Sequence, residues 1–451
     1  MDFDKLIADV SNFVWGPPLL VLIVGTGIYL TARLGFIQIT KLPYALKLAF
    51  SKHQDKSSAG DISHFQALMT ALAATVGTGN IVGVATAVVL GGPGAVVWMW
   101  LSGLFGMATK YAEAILAVKY RVVDEKGQMA GGPMYYLERG LKQKWLAVMF
   151  AVFASVAAFG IGNGVQTNSV ALALKSTFDI PLVVTAITLV ILTGVVIIGG
   201  VHSIGRVVSF FVPFMIIFYV GSGLLILVMN YDLIPGAFAT IFSSTFSAEA
   251  IAGGAIGAAI RYGVARGVFS NEAGLGSAPI AAAAAKTDFP GRQALVSMTQ
   301  VFLDTLVVCS ITGITLVMGK QYDSGLEGVE LTMATFEMFL GPAGKYIITI
   351  GLVMFAYSTV LGWSYYGEKS IYYLFGQRSI LPYRIAFALV AGLGAMTTNL
   401  NMVWALSDIF NGLMAIPNLI GLVGLSGVVI AETRIFRAQL KKEEEERKRV
   451  S

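Results

Sequence analysis

The feature that most constrains the fold is an apolar run at residues 65–90 whose middle is the helix-hostile string TVGTGN. The run is long enough to cross a bilayer, where a helix normally keeps every backbone hydrogen bond within itself because hydrocarbon offers no partner. Gly77 and Gly79 allow the backbone to leave the helix at mid-depth. The Thr and Asn side chains beside them would be costly against lipid. We therefore predict a broken helix that faces a protein-lined cavity.

The composition of the chain indicates the class of protein. Its 451 residues are 56% hydrophobic and only 13% charged, which excludes a soluble globule with a polar exterior. We predict an all-α polytopic membrane protein with about 11 spans, each of roughly 20 apolar residues. The predicted spans are residues 13–32, 65–90, 95–118, 145–170, 181–199, 207–229, 243–266, 293–318, 345–373, 380–398 and 402–430. The 13–32 segment follows an acidic start, so residues 1–34 are predicted to hold a retained extra transmembrane helix rather than a signal peptide.

The distribution of Lys and Arg predicts the orientation. Placing the N-terminus outside leaves all but four of the 31 Lys and Arg on the cytoplasmic side, where basic loops remain. The four exceptions are Lys5, Lys175, Lys320 and Lys345. Residues 431–451 are then a charged cytoplasmic tail. The net charge of +5 favours contact with anionic lipid headgroups rather than nucleic acid.

Cysteine and histidine offer little chemistry. Cys309 is the only cysteine, and His53, His64 and His202 lack a second ligand at metal spacing. GxGxxG-like glycines have no strand before them and indicate close helix packing. An integral membrane enzyme therefore has little support. An ion channel is also disfavoured, because channels usually assemble short identical subunits and this chain holds two dissimilar halves. We predict that the protein is not an enzyme and has no organic cofactor.

A second apolar span, residues 243–266, carries Gly253 and Gly254 at its middle. Paired interrupted spans in two halves indicate an inverted-repeat transporter, although Gly253 and Gly254 could equally be packing residues. Five spans fall in each half, so the halves must insert with opposite topology. This predicts a LeuT-type 5+5 inverted repeat, with repeats at 65–230 and 243–430 after the extra N-terminal helix. Residues 265–292 are expected to be a cytoplasmic stretch with an interfacial helix, and residues 321–344 an external amphipathic lid helix.

Ordered strings along residues 65–430 resemble the alanine or glycine:cation symporters, a family of the amino acid, polyamine and cation superfamily. The matching strings are TVGTGNIVGVATA, GGPGAVVWMWLSGLFGMATKYAE, GGPMYYLERGL, GNGVQTNSVA, RGVFSNEAGLGSAPIAAA, FAYSTVLGWSYYGE and WALSDIFNGLMAIPN. The resemblance implies a symporter in a prokaryotic plasma membrane that imports alanine and glycine, with sodium as the coupling ion. A transporter of the same fold with another cargo, or with protons as driver, stays open.

The predicted break suits a zwitterionic substrate. Thr78, Gly79 and Asn80 begin a half-helix whose free N–H groups favour the substrate carboxylate. Carbonyls near Ala74, Thr75 and Ala252 would meet the ammonium. The predicted substrate-binding residues are Thr75, Gly77, Thr78, Gly79, Asn80, Gln166 and Trp363. Gln166 is assigned by resemblance to the fold, and its alternative is a hydrogen bond between helices.

Sodium prefers oxygen ligands, which hydroxyls and carbonyls supply. Ser358 and Thr359 look like the paired hydroxyls with which helix 8 of this fold holds sodium against helix 1. The carbonyls of Ala73 and Val76 would complete that position. A second sodium beside the substrate would use Asn80 and the Thr75 carbonyl. Alternatively, both hydroxyls only bond back to carbonyls of their own helix.

Trp363 lies one helical turn after Thr359 and is predicted to limit the substrate side chain to a hydrogen or a methyl. Its alternative is a packing or interfacial aromatic. Four acidic residues fall within the spans and need partners: Glu113, Glu249, Asp304 and Asp408. Asp304 could complete a cation site, relay a proton or lock helices together, and the structural role is favoured. Asp408 could form part of an external gate.

Overall fold

The structure, a computed structural model of the chain, describes residues 3–51, 58–246, 255–397 and 400–450. Within these ranges the chain is helical apart from one antiparallel hairpin, an isolated bridge, turns and loops. Large apolar side chains of one long helix, such as Phe210 and Ile217, point outward and are 81% and 71% exposed. Exposure of this kind is expected where lipid, not water, surrounds the protein.

The chain forms 22 described helices and two strands in this order. The first part comprises α1 (Phe3–Val14), α2 (Pro17–Arg33), α3 (Ile37–Thr40), α4 (Leu42–Ala49), α5 (His64–Thr75), α6 (Val84–Gly91), α7 (Ala95–Lys119), β1 (Val122–Val123), β2 (Met129–Ala130), α8 (Pro133–Tyr135), α9 (Lys144–Phe159), α10 (Val165–Phe178), α11 (Leu182–Ile198), α12 (Gly200–Met229) and α13 (Ile234–Phe246). The second part comprises α14 (Ala255–Asn271), α15 (Pro279–Ala283), α16 (Pro290–Val301), α17 (Ser310–Gly319), α18 (Gly328–Leu340), α19 (Ala343–Phe375), α20 (Ile380–Met396), α21 (Leu400–Gly424) and α22 (Ser426–Val450).

Seven helical segments of the described residues are long and apolar enough to cross a bilayer, or eight if one bent pair counts as a span. That pair is His64–Thr75 with Gly79–Gly91, and its halves meet at 53°. The helix predicted at residues 65–90 is therefore broken where the sequence indicated. α18 confirms a helix within residues 321–344, and α22 makes the charged tail helical.

π-helical turns interrupt three of the central helices. They span Gly79–Gly83 before α6, Gly160–Gly164 between α9 and α10, and Phe302–Cys309 between α16 and α17. π-Turns widen a helix by one residue and are frequent at functional sites. Two predicted site residues lie at these turns, since Asn80 is in the first and Gln166 follows the second, and Asp304 is in the third.

The second interruption differs from the prediction. Gly253, Gly254, Ala252 and Glu249 lie outside the described residues. α14 is continuous through Asn271, and a break follows at residues 272–278 before α15. Residues 267–285 are all buried, so the prediction of a cytoplasmic stretch with an interfacial helix is wrong. The alanine-rich string after this break is a short buried helix that packs on α5 and α7.

The N-terminal region is also more complex than one extra span. α1 is a separate helix before α2, and it packs on α21. Arg261 and Arg266, counted as cytoplasmic in the orientation argument, lie beside Asn12 and Asp408, which the predicted topology places outside. That part of the charge count is wrong, because Arg261 and Arg266 lie on the same side of the protein as the N-terminal helix. The repeat boundaries at 65–230 and 243–430 stay a prediction.

Candidate functional site

The first break follows α5, a helix that is well capped at its N-terminus and ends in the middle of the apolar run. Ser63 caps α5 in a reciprocal capping box with Gln66. The helix ends at Thr75, and Val76 leaves the helical region with φ −76° and ψ 89°. The Gly77 N–H then donates to Asn80 Oδ1 at 2.9 Å, and the Thr78 N–H donates to Gln166 Oε1 at 3.3 Å. A side-chain oxygen therefore occupies the Thr78 N–H, one of the three donors that the prediction assigned to a carboxylate, and the Asn80 N–H donates to the Gly77 carbonyl at 3.2 Å.

Gln166 links the helix that carries it to the break. Its Nε2 donates to Thr78 Oγ1 at 3.1 Å and to the Ile161 carbonyl at 3.0 Å. The helix-to-helix hydrogen bond considered for this residue is therefore present. Gln166 also lines the cavity described below, so it is both a polar wall residue and a hydrogen-bonding link between helices.

Buried side chains satisfy the backbone of the second break. Glu113 Oε1 accepts from the Gly274 and Gly276 N–H groups, each at 3.1 Å, and from Asn418 Nδ2 at 2.7 Å. Lys110 Nζ donates to the Glu272 carbonyl at 3.0 Å. Irregular backbone in a membrane requires such partners. Glu113 thus has a role that its position in the sequence did not reveal.

The two breaks line a small cavity of about 10 Å³, which has room for about one water molecule. Its lining residues are Ala74, Thr75, Gly77, Gly79, Ile161, Gln166, Phe269, Glu272, Thr359 and Trp363. The structure therefore brings together Thr75, Gly77, Gly79, Gln166 and Trp363 of the predicted substrate set. Thr78 and Asn80 are buried but do not line the cavity. They hydrogen-bond to residues that do, Thr78 to Gln166 and Asn80 to Gly77.

Three lining residues were absent from the predicted set: Ile161, Phe269 and Glu272. Glu272 has φ +57°, and its Oε2 accepts from Ser277 Oγ at 2.5 Å. The Trp363 indole also hydrogen-bonds the Glu272 side chain. The sequence did contain a signal for a break here, because Gly and Pro commonly end or interrupt helices and the segment holds Gly274, Gly276 and Pro279.

The hydroxyl pair of α19 lies against the first break. Ser358 Oγ lies 3.3 Å from the Ala73 carbonyl and 2.8 Å from the Phe355 carbonyl. Thr359 Oγ1 donates to the Phe355 carbonyl at 3.0 Å. Both hydroxyls therefore bond back within their helix, as the alternative held, and Ser358 also contacts the predicted ligand Ala73. Val76 is fully buried beside them.

Trp363 forms a wall of the cavity rather than an interfacial anchor. It is 1% exposed, and its ring meets Tyr366 edge-on with centroids 5.6 Å apart. A Cβ on Gly162 would lie 2.3 Å from the Trp363 Cβ. The π-turn that contains Gly162 thus brings its backbone directly against the tryptophan, and this contact fixes the indole.

Asp304 joins three helices at the far side of Asn80. Its Oδ1 accepts from Asn80 Nδ2 at 2.7 Å, and its Oδ2 accepts from Ser270 Oγ and Thr305 Oγ1, both at 2.9 Å. These contacts match the favoured structural role, a lock between helices. Cys309 is buried beside this group and is a free thiol.

An aromatic stack and an ion pair lie on one side of the cavity. Phe269 stacks on Trp404 with centroids 5.6 Å apart and lies under the Arg266 guanidinium at 5.4 Å. Arg266 Nη2 lies 3.4 Å from Asp408 Oδ2. This geometry fits the external gate considered for Asp408.

On the opposite side of the cavity, Arg121 forms what we call the basic clamp. Arg121 donates to the carbonyls of Ala283, Ala285 and Ala59, at 2.9, 2.7 and 2.8 Å. A parallel bridge pairs Ile62 with Ala285 beneath it. Burial lowers the pKa of the Arg121 guanidinium, and the nearby Asp61 opposes this shift.

Asp61 and Asp124 anchor the hairpin to this clamp. Asp61 Oδ2 accepts from the Met129 N–H at 2.8 Å, and the buried Lys369 Nζ lies 3.1 Å from Asp124 Oδ2. Burial raises the pKa of the Asp61 carboxyl, while the Met129 N–H and the Lys369 charge lower it.

Metal and nucleophile chemistry finds no support in the described ranges. They contain no group of three or more His, Cys, Asp or Glu that could hold a metal ion. His53 lies outside them. His64 contacts Gln293 at the start of α5, and His202 lies exposed on α12.

Comparison with known proteins then decides the family. The model of the sodium:alanine symporter family matches residues 1–450. The chain belongs to this family. It is therefore a membrane transporter, in agreement with the resemblance of the ordered strings.

Two relatives show the range of the family. The sodium/alanine symporter AgcS of Methanococcus maripaludis is 63% identical, covering 98% of this chain and 99% of the relative. The probable sodium/glutamine symporter GlnT of Bacillus subtilis is 36% identical, covering 97% of this chain and 91% of the relative. Relatives of this family thus carry names with different substrates.

A solved structure supports the fold. The transporter MhsT, in complex with L-phenylalanine, matches with a TM-score of 0.58 and 14% identity, covering 83% of this chain and 99% of that chain. The likeness confirms the LeuT-type, all-α architecture.

Proposed function

We propose that this protein is a secondary active symporter that imports alanine and glycine with sodium by alternating access. The observation that carries the proposal is the small cavity of about 10 Å³ that backbone and polar side chains line between the two breaks, with Arg266 and Asp408 on one side and Arg121 on the other. A closed chamber at mid-depth is the arrangement that alternating access requires. Membership of the sodium:alanine symporter family supports both the ion and the substrate class.

The lining of the cavity favours a small zwitterion, and the walls would have to separate to admit it because the cavity now holds about one water molecule. Trp363 and Phe269 close two of its sides, and Gly77 and Gly79 bring backbone to its surface. The Gly77 and Thr78 N–H groups now bond to Asn80 and Gln166, and a substrate carboxylate would exchange with these oxygens. The roles of Thr75, Gly77, Thr78, Gly79, Asn80, Gln166 and Trp363 in substrate binding remain our proposal.

The ammonium of the substrate would meet a carboxylate as well as carbonyls. Glu272 lines the cavity together with Ala74 and Thr75, whose carbonyls end α5. The Glu272 side chain is 2% exposed and held by Ser277. A fixed acceptor in a dry site attracts a cation strongly. We assign Glu272 this role alongside the carbonyls.

Sodium would bind between α5 and α19. The Ser358 hydroxyl already lies 3.3 Å from the Ala73 carbonyl, and Thr359 Oγ1 is the atom closest to a Cβ built on Gly77. Rotation of both hydroxyls away from Phe355 would supply oxygens to a cation, with the Ala73 and Val76 carbonyls opposite. Asn80 and the Thr75 carbonyl would serve a second sodium near the substrate. This oxygen-only set suits a hard cation.

Uptake of labelled alanine into proteoliposomes tests the proposal. We expect accumulation under an inward sodium gradient and none under a proton gradient alone. Labelled glutamine serves as the competing cargo because a relative is named for it. Accumulation driven by protons, or uptake of glutamine in preference to alanine, would overturn the proposal. We further propose that the membrane is the plasma membrane of a prokaryote, with the N-terminus outside and the C-terminus in the cytoplasm.

A further inference from the structure

The buried charges of the core do not balance. Two ion pairs among the described residues are complete. Lys369 Nζ lies 3.1 Å from Asp124 Oδ2, and Arg384 donates to both oxygens of Glu368, at 2.7 and 2.9 Å. The other charged side chains that are buried in the described ranges are Lys110, Glu113, Glu272 and Asp304. One ammonium thus serves three carboxylates, in a setting where a charge without a countercharge is costly.

Lys110 lies on α7 among these carboxylates. Its Nζ donates to the Glu272 carbonyl at 3.0 Å and lies 3.8 Å from Glu113 Oε2, an oxygen that has no hydrogen bond within the described residues. It also interacts electrostatically with the side chains of Glu272 and Asp304. An ammonium has three N–H donors, and the contacts within the described ranges use one of them in a hydrogen bond. The ammonium therefore has donors to spare for another acceptor.

A second small cavity, which we call the lysine cavity, adjoins Lys110. Its volume is about 10 Å³, enough for about one water molecule. Ser297 and Gln300 of α16 line it, and Gln300 Oε1 is buried without a partner among the residues that the structure describes. The remaining lining consists of Pro279 and five small side chains, Ala67, Ala71, Ala114, Ala278 and Ala282. The flexible four-carbon stem of Lys110 therefore has room to change its direction.

Glu272 connects Lys110 with the cavity between the two breaks, which we call the inner cavity. Its carbonyl accepts from Lys110, and the residue also lines the inner cavity. Its carboxylate is held by Ser277 and by the Trp363 indole, and was assigned above to the substrate ammonium. When the substrate leaves, this carboxylate, which is 2% exposed, needs another cation before both sides of the protein close around it.

We propose that Lys110 is a built-in substitute for the substrate ammonium. When alanine and sodium have left, its ammonium moves from the Glu272 carbonyl to the Glu272 carboxylate and neutralises it. The substrate-free carrier then closes and returns across the membrane for the next substrate. The inference rests on the proposed function, because it needs Glu272 as the acceptor of the substrate ammonium.

Comparison of exchange with net uptake isolates this step. In exchange, proteoliposomes hold sodium and unlabelled alanine inside and receive sodium and labelled alanine outside, so the carrier moves loaded in both directions. In net uptake, alanine and sodium are supplied only outside, so the carrier must return without substrate. A countercharge that serves only the return matters for net uptake and not for exchange.

Lys110→Met removes the ammonium and keeps a long, unbranched side chain. We expect net uptake to fall at least about tenfold, because the returning carrier must bury an unpaired carboxylate, while exchange stays within about twofold of the unmodified protein. Lys119→Met is the matched control on the same helix. It removes a lysine that is 46% exposed and pairs with Glu432 at 2.7 Å, and it should leave both rates unchanged.

A second variant guards against a loss of folding. Lys110→Met combined with Glu113→Gln removes both charges of the ion pair together, which costs less than breaking the pair, and should show the same difference between net uptake and exchange.

Glu272→Gln identifies the partner, because it removes the carboxylate that Lys110 neutralises. In this background, at saturating alanine, Lys110→Met should change the ratio of net uptake to exchange by less than about twofold. An undiminished effect of Lys110→Met there would overturn Glu272 as the partner. Loss of both modes in Glu272→Gln alone would support its assignment as the ammonium acceptor.

The outcomes separate the two proposals. Absence of sodium-dependent alanine transport in both modes of the unmodified protein would overturn the proposed function and this inference together. Equal loss of both modes in both Lys110 variants would give Lys110 a structural role and overturn this inference alone. Normal net uptake in Lys110→Met would also overturn it, and would show that a proton or a sodium ion neutralises Glu272 during the return.

Discussion

At the residue scale, the contacts of a few small side chains and one indole decide what the inner cavity can hold. Gly77 lies where a Cβ would be 2.4 Å from Thr359 Oγ1 and 3.4 Å from Gln166 Oε1. Any side chain at this position would separate the first break from the hydroxyl pair of α19. Glycine is therefore required at this position, because the first break and α19 approach closely where we propose that sodium binds.

Gly77→Ala should abolish sodium-dependent alanine uptake, because the added methyl group displaces Thr359 from the break. Proteoliposome uptake, normalised to inserted protein, measures this. Gly25→Ala is the matched control, since a Cβ there meets nothing within 4 Å. Normal uptake by Gly77→Ala would contradict the proposed sodium position.

Thr359→Ala and Asn80→Leu should each abolish sodium-dependent uptake while the protein still inserts. The first change removes a proposed sodium ligand, and the second removes the acceptor of the Gly77 N–H. Thr188→Ala deletes an exposed hydroxyl that also bonds back to its own helix, and it should have no effect. Unchanged transport in both site variants would remove the site assignment.

Trp363→Ala should allow larger side chains into the inner cavity. We expect the ratio of leucine to alanine uptake to rise by about tenfold or more, in line with the selectivity that pocket size alone can provide. Trp145→Ala, which removes an indole that is 59% exposed, should leave the ratio unchanged. A substrate range that does not change would place Trp363 outside the selective wall.

The residue scale also shows which residues of the cavity could be predicted from the sequence. Thr75, Gly77, Gly79, Gln166, Thr359 and Trp363 were all predicted, and they share one cavity. Polar residues inside an apolar run mark a cavity because lipid would penalise them. Glu272 and Phe269 were missed because their environment depends on where α14 ends. Whether a residue near a helix end faces lipid, water or a cavity depends on tertiary packing, which a single sequence does not display.

At the scale of elements, the second break depends on partners far away in the chain. Glu113 on α7 and Asn418 on α21 bond the backbone around Gly274 and Gly276. The spans themselves follow from hydropathy, and α7 and α19 lie within two residues of their predictions at 95–118 and 345–373. The break at residues 272–278 cannot be predicted from hydropathy, because the alanine-rich helix that follows it is too short to be recognised as a membrane span.

Glu113→Ala should destabilise the protein strongly. It leaves three donors without this acceptor and removes the ion-pair partner of Lys110, and the loss of one partner of a buried pair costs about 3–5 kcal/mol. Glu113→Gln keeps one acceptor oxygen and should lose less. Thermal unfolding in detergent, followed by the fraction of protein that stays monodisperse, ranks the variants. Equal stability of Glu113→Ala and the unmodified protein would contradict this role.

At the scale of the whole molecule, both sides of the inner cavity are closed at once. The fold explains this state, since α5 packs on α15 at one side of the cavity and α14 contacts α21 at the other. The sequence predicted the LeuT-type architecture and the chamber but not the state. The conformational state depends on small differences in free energy between the contacts on the two sides of the cavity. Composition and residue spacing do not reveal these differences.

Arg121→Gln should loosen the inner side, because it removes three hydrogen bonds from a charged donor, each worth about 1.5–3 kcal/mol. The measurement is the reaction of Ala67→Cys, which lies on α5, with a thiol reagent supplied from the cytoplasmic side. Cys309 is buried and gives little background. Arg139→Gln, an exposed arginine on the same side, is the control. An unchanged reaction rate in Arg121→Gln would contradict the clamp.

The clamp at Arg121 and the pair at Arg266 are unequal in strength. Below the cavity there are three hydrogen bonds, a buried ion pair at 3.1 Å and a backbone bridge, whereas above it the ion pair has one contact at 3.4 Å. We expect the empty carrier to open more readily toward the medium than toward the cell interior. A cell that holds such a carrier can scavenge scarce nutrient and loses little of its stored pool when the ion gradient collapses.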